Sequence, residues 1–309
     1  MFSIFLIILG LGLFESISSL DNAIINAQVL QTMTARARRW FLFWGMLFAV
    51  IVMRGVLPWL IVFLAAPQLG PIGALTAGFS ASKDVSHTLV NATPFLLLGG
   101  GVFLVFLFLD WLFLREKQFG FKAEKMIYHH AKTFYVVITL CFCLILFLAS
   151  QKNSTLIIPA GIGLLIFFIT HGLRAFAQRK EQQLLNMRGL QKQSTQANTS
   201  QTDFSKLLYL ELIDAIFSVD GVIGSFAFTL SVPLIFFGNG LGAVILRQLT
   251  VGNVNRIKKY VYLENGAMYS VLFLGLSMVF RSFGYPIPEY ISPLTTFICI
   301  GYFFFRSAR

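Results

Sequence analysis

Charged residues are scarce in this chain of 309 residues. Asp, Glu, Lys and Arg make up 12% of it, about half of the roughly 25% that is usual in soluble domains. Hydrophobic residues make up 57%, and runs of about 18 or more apolar residues, long enough to cross a bilayer, recur along most of the sequence. The composition excludes a soluble globular domain and predicts an all-α polytopic membrane protein.

Cysteine and acidic residues are also few. The three cysteines, Cys141, Cys143 and Cys299, all lie in apolar runs, which indicates packing residues and implies no disulfide framework. The net charge of +11 comes from 24 basic against 13 acidic residues. The basic residues stand in short loops between apolar runs, which is typical of membrane topology, and no nucleic acid partner is expected.

The apolar runs predict about nine transmembrane helices. Segment 66–93, rich in Gly, Ala, Ser and Pro, is an external loop or a re-entrant piece, and the Gln-rich segment 178–204 is a flexible cytoplasmic linker. The nine predicted spans are roughly 1–25, 41–65, 94–114, 133–150, 154–176, 205–230, 232–250, 260–281 and 288–305.

The placement of the basic residues predicts the orientation. With the N-terminus outside, 19 of the 24 Lys and Arg residues fall on the cytoplasmic side, including the C-terminal tail. We therefore expect a multi-pass protein of a bacterial-type plasma (inner) membrane, embedded in lipid, with a cytoplasmic C-terminus. The sequence leaves the oligomeric state open, a homo-oligomer included.

An internal repeat relates the two halves. FESISSLDN at 14–22 matches IDAIFSVDG at 213–221, and FWGMLFAVIVMR at 43–54 aligns with FFGNGLGAVILR at 236–247. Because five predicted spans separate the two starts, the copies run in opposite directions, which is the inverted-topology three-helix repeat of many secondary transporters. The predicted division is a first repeat at 1–114, a connecting hairpin at 115–177, the linker at 178–204, a second inverted repeat at 205–281 and a terminal helix at 282–309.

Several acidic residues lie within predicted spans, where one carboxylate costs about 3 kcal/mol, so each must pair, face a polar interior or hold an ion. Carboxylate, amide and hydroxyl oxygens suit Mn²⁺, Ca²⁺ or Mg²⁺. Asp110 and Glu264 are equally well explained as interfacial residues, and Glu211 as a cap or ion-pair partner. The candidate metal-ligating residues are Glu15, Ser19, Asp21, Asn22, Asp110, Glu211, Asp214, Ser218, Asp220 and Glu264.

Helical spacing arranges the two acidic motifs. Glu15, Ser19 and Asn22 share one face of the first span, and Asp214 shares a face with Ser218, Gly221 and Glu211. Asp21 and Asp220 follow their acidic partners by six residues, which places them about 120° off that face. These two aspartates therefore make a second contact, or else the helix unwinds there and exposes carbonyl oxygens to a cation.

The two acidic motifs resemble those of TerC-type integral membrane proteins, named for tellurium resistance, and the segments FLFLD at 106–110 and YLENGAMYS at 262–270 resemble a longer branch of that family. The resemblance implies export of a divalent metal, above all Mn²⁺. Carried onto this sequence, it implies metal-site residues Glu15, Asp21, Asn22, Asp214 and Asp220, with Gly221 replacing a ligand in the second copy.

These features predict an exporter of a divalent cation that works by alternating access, with the metal as substrate. The repeat-paired Arg54 and Arg247 either neutralise acids or compete with the cargo. Two alternatives remain: a proton-coupled transporter of another solute, and a membrane scaffold for metal resistance. An intramembrane aspartic enzyme is not expected, because the Gly-x-Gly-Asp motif is missing. The four histidines, His171 among them, are expected to be ordinary polar residues.

Overall fold

A computed structural model describes residues 2–20, 23, 26, 29–30, 33–76, 83–191, 199–257 and 260–308. The secondary structure in this part of the chain is helical, without strands, as the sequence predicts. In chain order the helices are α1 (Phe2–Ser18), α2 (Ala35–Ala65), α3 (Gly70–Thr76), α4 (Lys83–Leu114), α5 (Lys122–Tyr128), α6 (Phe134–Lys152), α7 (Ile157–Gln191), α8 (Thr199–Ser225), α9 (Val232–Ile257), α10 (Leu263–Ser282) and α11 (Ile291–Ala308).

Among the described residues, six stretches of helix are long and apolar enough to cross a membrane. They lie in α2, α4, α6, α7, α10 and α11, each at a predicted span. The other three predicted spans fall on α1, α8 and α9, whose apolar stretches are shorter or more polar. α1 and α8 carry the acidic motifs, and α9 packs against both of them. A helix shielded from lipid by its neighbours does not need an apolar surface all round.

Two segments between the predicted spans contain helix. Helix extends over 178–191 and 199–204, where a flexible linker is predicted, because Gln, Glu, Lys and Leu are good helix formers whatever their polarity. Segment 66–93 contains α3, which packs back against α2, where the Trp59 Nε1 donates to the Pro71 carbonyl at 2.8 Å.

Small residues set the distance between the central helices. A Cβ at Gly242 in α9 would stand 2.5 Å from the Gly12 carbonyl oxygen of α1 and 2.7 Å from the Cβ of Glu15. A Cβ at Gly101 in α4 would stand 2.9 Å from the Gly275 carbonyl oxygen of α10. Backbones at these crossings touch directly, as in other membrane helix pairs packed through small residues.

The α1–α9 crossing yields a stability prediction with a built-in control. We expect Gly242→Ala to lower the thermal unfolding temperature in detergent by several degrees, because the methyl group must push α1 and α9 apart. Gly240→Ala lies two residues away, with its nearest neighbour, Val50 Cγ1, at 3.5 Å. It should leave the temperature unchanged or raise it, since alanine favours helix over glycine by about 1 kcal/mol. Equal effects of the two substitutions would contradict the close crossing.

Candidate functional site

Glu15 is the centre of a buried polar cluster in the middle of the bundle. Its side chain is 1% exposed, and its Oε1 accepts hydrogen bonds from Ser19 Oγ at 3.0 Å, Arg54 Nε at 3.1 Å and Arg54 Nη2 at 2.5 Å. Its Oε2 lies against Gly221 of α8, where any Cβ would overlap it. The glycine that replaces asparagine in the second motif therefore makes room for the carboxylate of the first.

Arg54 joins the two acidic motifs. It is 3% exposed, and its Nη1 lies 4.0 Å from Asp214 Oδ2 while it donates to the Ala49 carbonyl at 3.2 Å. Arg54 belongs to a π-helical segment of α2, Ala49–Val56, and such wide turns are frequent at functional sites. One guanidinium thus lies between Glu15 of the first motif and Asp214 of the second.

The face of α8 that helical spacing predicts, with Glu211, Asp214, Ser218 and Gly221, is directed toward this cluster. Asp214 approaches Arg54, Gly221 approaches Glu15, and a Cβ at Gly45 of α2 would overlap Glu211 Oε1. Ser218 is buried on the same face. The structure therefore brings Glu15, Ser19, Glu211, Asp214 and Ser218 to the region between α1, α2 and α8. Asp21 and Asn22 lie outside the described residues, as does the side chain of Arg247.

Asp220 points away from that cluster and forms an ion pair with Arg174 of α7. α8 is continuous from Thr199 to Ser225, so the helix does not unwind at the second motif. Of the two alternatives for the offset aspartate, the structure thus shows the second contact. α8 is held between two buried arginines, Arg54 on one face and Arg174 on another.

Asp110 lies in a separate group of charges beside α7. His171 Nδ1 is 2.9 Å from Asp110 Oδ1, and Arg115 Nε is 3.9 Å from Asp110 Oδ2. The expectation that His171 is an ordinary polar residue missed this contact. A signal was available, because His171 and Arg174 are three residues apart and share one face of an otherwise apolar helix.

Glu264 of α10 lies beside the C-terminal end of α4, where its Oε1 accepts a hydrogen bond from Trp111 Nε1 at 2.8 Å. Nearby, Lys117 Nζ donates to the carbonyls of Trp111 and Leu112 and stands 3.7 Å from the centre of the Trp111 ring. Burial lowers the pKa of Lys117 to about 8, against the opposing effect of the Glu124 and Glu264 carboxylates. Lys117 thus caps the last carbonyls of α4, and Glu264 is bonded to a side chain of the same helix.

Glu124 is a buried acid that sequence reasoning did not single out. It is 1% exposed and accepts hydrogen bonds from the Gly120 amide at 2.7 Å, Asn265 Nδ2 at 3.1 Å and Tyr269 OH at 2.9 Å. These bonds fasten the short helix α5 to α10. Glu124 stands in a basic loop between spans, so its local sequence carries no sign of burial.

The predicted ligands therefore have different partners. Glu15 and Asp214 contact Arg54, Asp220 pairs with Arg174, Asp110 contacts His171, and Glu264 bonds to Trp111. In the described part of the chain, no three His, Cys, Asp or Glu side chains come together as a metal-binding group. Around Glu15 the oxygens are hard donors, suited to a divalent cation such as Mn²⁺, and a guanidinium lies between the two motif carboxylates.

A family model described as a protein of unknown function (DUF475) matches residues 20–309. An uncharacterized membrane protein of Bacillus subtilis (strain 168), YceF, is 29% identical over 101 residues, which are 33% of this chain and 39% of that relative. The chain thus matches well under half of the relative's length. No solved structure matches.

The resemblance to TerC-type proteins is wrong. The model that matches nearly the whole chain describes a distinct family. The resemblance depended on motifs of about nine residues, and acidic residues spaced along an amphipathic or buried helix face recur in unrelated membrane proteins for physical reasons. The metal-site residues that the resemblance implied are now supported only by their own chemistry and position.

Proposed function

The chain belongs to the family of proteins of unknown function DUF475, and on that premise we propose that this multi-pass membrane protein exports a divalent cation, with Mn²⁺ as the first cargo to test. One observation carries the proposal: the Arg54 guanidinium lies between Glu15 and Asp214, the equivalent acids of the two motifs. A permanent cation takes the position where two carboxylates from different helices would hold a cargo ion.

The proposed mechanism follows from the charge balance at Glu15 and Asp214. Two carboxylates inside a membrane bundle need a positive partner, and Arg54 or the cargo can supply it. When Arg54 withdraws, Glu15, Asp214 and the Ser19 hydroxyl offer hard oxygen ligands to a divalent cation. When Arg54 returns, it displaces the cation. An internal competitor of this kind makes binding and release alternate, as a transporter requires.

The neighbouring contacts favour an inverted arrangement of the two motifs. Phe14 of α1 lies against Gly224, and Glu15 against Gly221, so the contacts run in opposite directions along α1 and α8. We therefore include nine spans, two inverted three-helix repeats and an external N-terminus in the proposal. Movement of one repeat against the other would expose the cluster to each side in turn.

Purified protein in liposomes tests the function directly. We expect wild-type protein to move Mn²⁺ into vesicles that contain a quenchable indicator, and Asp214→Asn to reduce the rate at least tenfold. Glu289→Gln, an exposed acid outside the cluster, is the matched control and should retain the wild-type rate. Each variant must elute from size exclusion as wild type does.

Two results would overturn the proposal. The first is wild-type flux no faster than that of empty liposomes, which would leave a scaffold or another solute as the function. The second is equal Mn²⁺ flux by wild type and Asp214→Asn. Proton movement without Mn²⁺ movement would belong to the first case, because the cargo would then be something other than the metal.

A further inference from the structure

Asn239 is a buried amide with one half of its hydrogen-bonding capacity unused. It is 0% exposed, its Nδ2 donates to Ser225 Oγ at 2.7 Å, and no donor in the described part of the chain reaches its Oδ1. A buried acceptor without a partner is unfavourable, because it has given up its hydrogen bonds to water and gained none in the protein. Such a group calls for a physical explanation, and an ion bound in another step of a cycle is one.

The amide orientation follows from its neighbours. Ser225 Oγ donates its proton to the Gly221 carbonyl at 2.6 Å, so toward Asn239 it can only accept. The Nδ2 group must therefore face Ser225, and the oxygen must be the free end. Turning the amide over would set an oxygen against the lone pairs of Ser225 and would not satisfy the buried acceptor.

Asn239 lies about one helical turn from the Glu15 cluster, whether the distance is measured along α9 or along α8. On α9 it precedes Gly242, whose Cβ position is 2.7 Å from the Cβ of Glu15, by three residues or about 4.5 Å of rise. On α8 its partner Ser225 follows Gly221, which lies against Glu15, by four residues or about 6 Å. Both measurements place Asn239 on the side of Glu15 toward the α8–α9 connection.

We propose that Asn239 Oδ1 is a second binding station for the divalent cation, reached after the Glu15–Asp214 position on the way to the α8–α9 end of the bundle. This inference rests on the proposed transport function. A neutral amide oxygen is a hard ligand, acceptable to Mn²⁺, Mg²⁺ or Ca²⁺, and it holds them less tightly than a carboxylate. A weak station next to a strong one lets an ion leave a charged site without crossing an apolar gap.

Two substitutions test the station. Asn239→Leu keeps the approximate volume and removes the oxygen, so Mn²⁺ flux should fall at least tenfold while equilibrium Mn²⁺ binding by purified protein stays within about twofold. Asn239→Asp turns the weak ligand into a strong one. It should lower the half-saturating Mn²⁺ concentration severalfold and also lower the maximal rate, because release becomes slow.

Asn265 provides the matched control. It is 1% exposed, and its Oδ1 is also without a partner among the described residues, but its Nδ2 bonds to Gln118 and Glu124, away from the Glu15 cluster. In Asn265→Leu protein that remains folded, flux per molecule should match wild type. This comparison separates loss of a buried amide in general from loss of the one beside the cluster.

The flux measurements distinguish failure of the Asn239 binding station from failure of the proposed transport function. If wild-type protein carries no Mn²⁺, the proposed function has failed. If wild type carries Mn²⁺ and folded Asn239→Leu carries it equally fast, the station alone is refuted. Where Asn239→Leu does not fold, Asn239→Asp decides: an unchanged half-saturating Mn²⁺ concentration in that variant refutes the station, and a lowered one supports it.

Discussion

Replacing Arg54 with methionine is expected to destabilise the folded protein by about 3–5 kcal/mol, the usual effect of removing one partner from a buried ion pair. Glu15 is 1% exposed and its Oε1 accepts two hydrogen bonds from Arg54, so methionine would leave a buried carboxylate without the guanidinium that balances its charge. Thermal unfolding in detergent should show the loss as a large fall in the transition temperature.

Two further variants serve as controls for Arg54→Met. Arg39→Met removes an exposed arginine from the same helix and should change stability little. The double variant Glu15→Gln with Arg54→Met removes both charges and should recover a large part of the lost stability, since the stranded charge is gone. An Arg54→Met protein as stable as Arg39→Met would mean that Glu15 and Arg54 are not paired in the membrane.

Arg174→Met is expected to have the second largest effect, about 3 kcal/mol of destabilisation. It would leave Asp220 without its ion-pair partner on the face of α8 that looks toward α7. Arg174 also lies over the Phe217 ring, 5.3 Å from its centre, so packing is lost together with charge. The effect should stay below that of Arg54→Met because the Asp220 side chain is 15% exposed, against 1% for Glu15.

The matched control for Arg174 lies further along the same helix. Arg179→Met replaces an exposed arginine of α7 and should leave the unfolding temperature within the scatter of wild type. Adding Asp220→Asn to Arg174→Met should restore part of the loss. If the double variant is less stable than either single one, Asp220 must have another positive partner, and the pairing described above would be incorrect.

The two arginines together assign different tasks to the acids of α8. Asp214 shares Arg54 with Glu15 of the other motif, whereas Asp220 pairs with Arg174. In the proposed cycle the Arg54 contact is exchanged for a cargo ion, and the Arg174 contact keeps α8 attached to α7. Arg174→Met should then reduce stability and flux together, while Arg54→Met should also change the Mn²⁺ concentration that half-saturates transport.

Local pattern was sufficient for the helices and for the faces they present. Long apolar runs predict all six candidate spans in the described part of the chain, since the length and hydropathy of a segment do not depend on its neighbours. Helical spacing alone also put Asp214, Ser218 and Gly221 on one face. In the Gln-rich segment predicted as a linker, residues 178–191 and 199–204 are helical, because residues such as Gln, Glu and Leu favour helix whatever their polarity.

The sequence by itself determined that this is an all-helical membrane protein and that its acids require neutralising partners inside the bundle, because the cost of a bare charge in hydrocarbon is local to each residue. Only the tertiary structure decided which partners these are. Arg54 lies 39 residues from Glu15, and Arg174 lies 46 residues from Asp220, and no local rule links them. Pairing over such separations depends on which helix faces meet, and that is fixed by close packing at glycines such as Gly221 and Gly242.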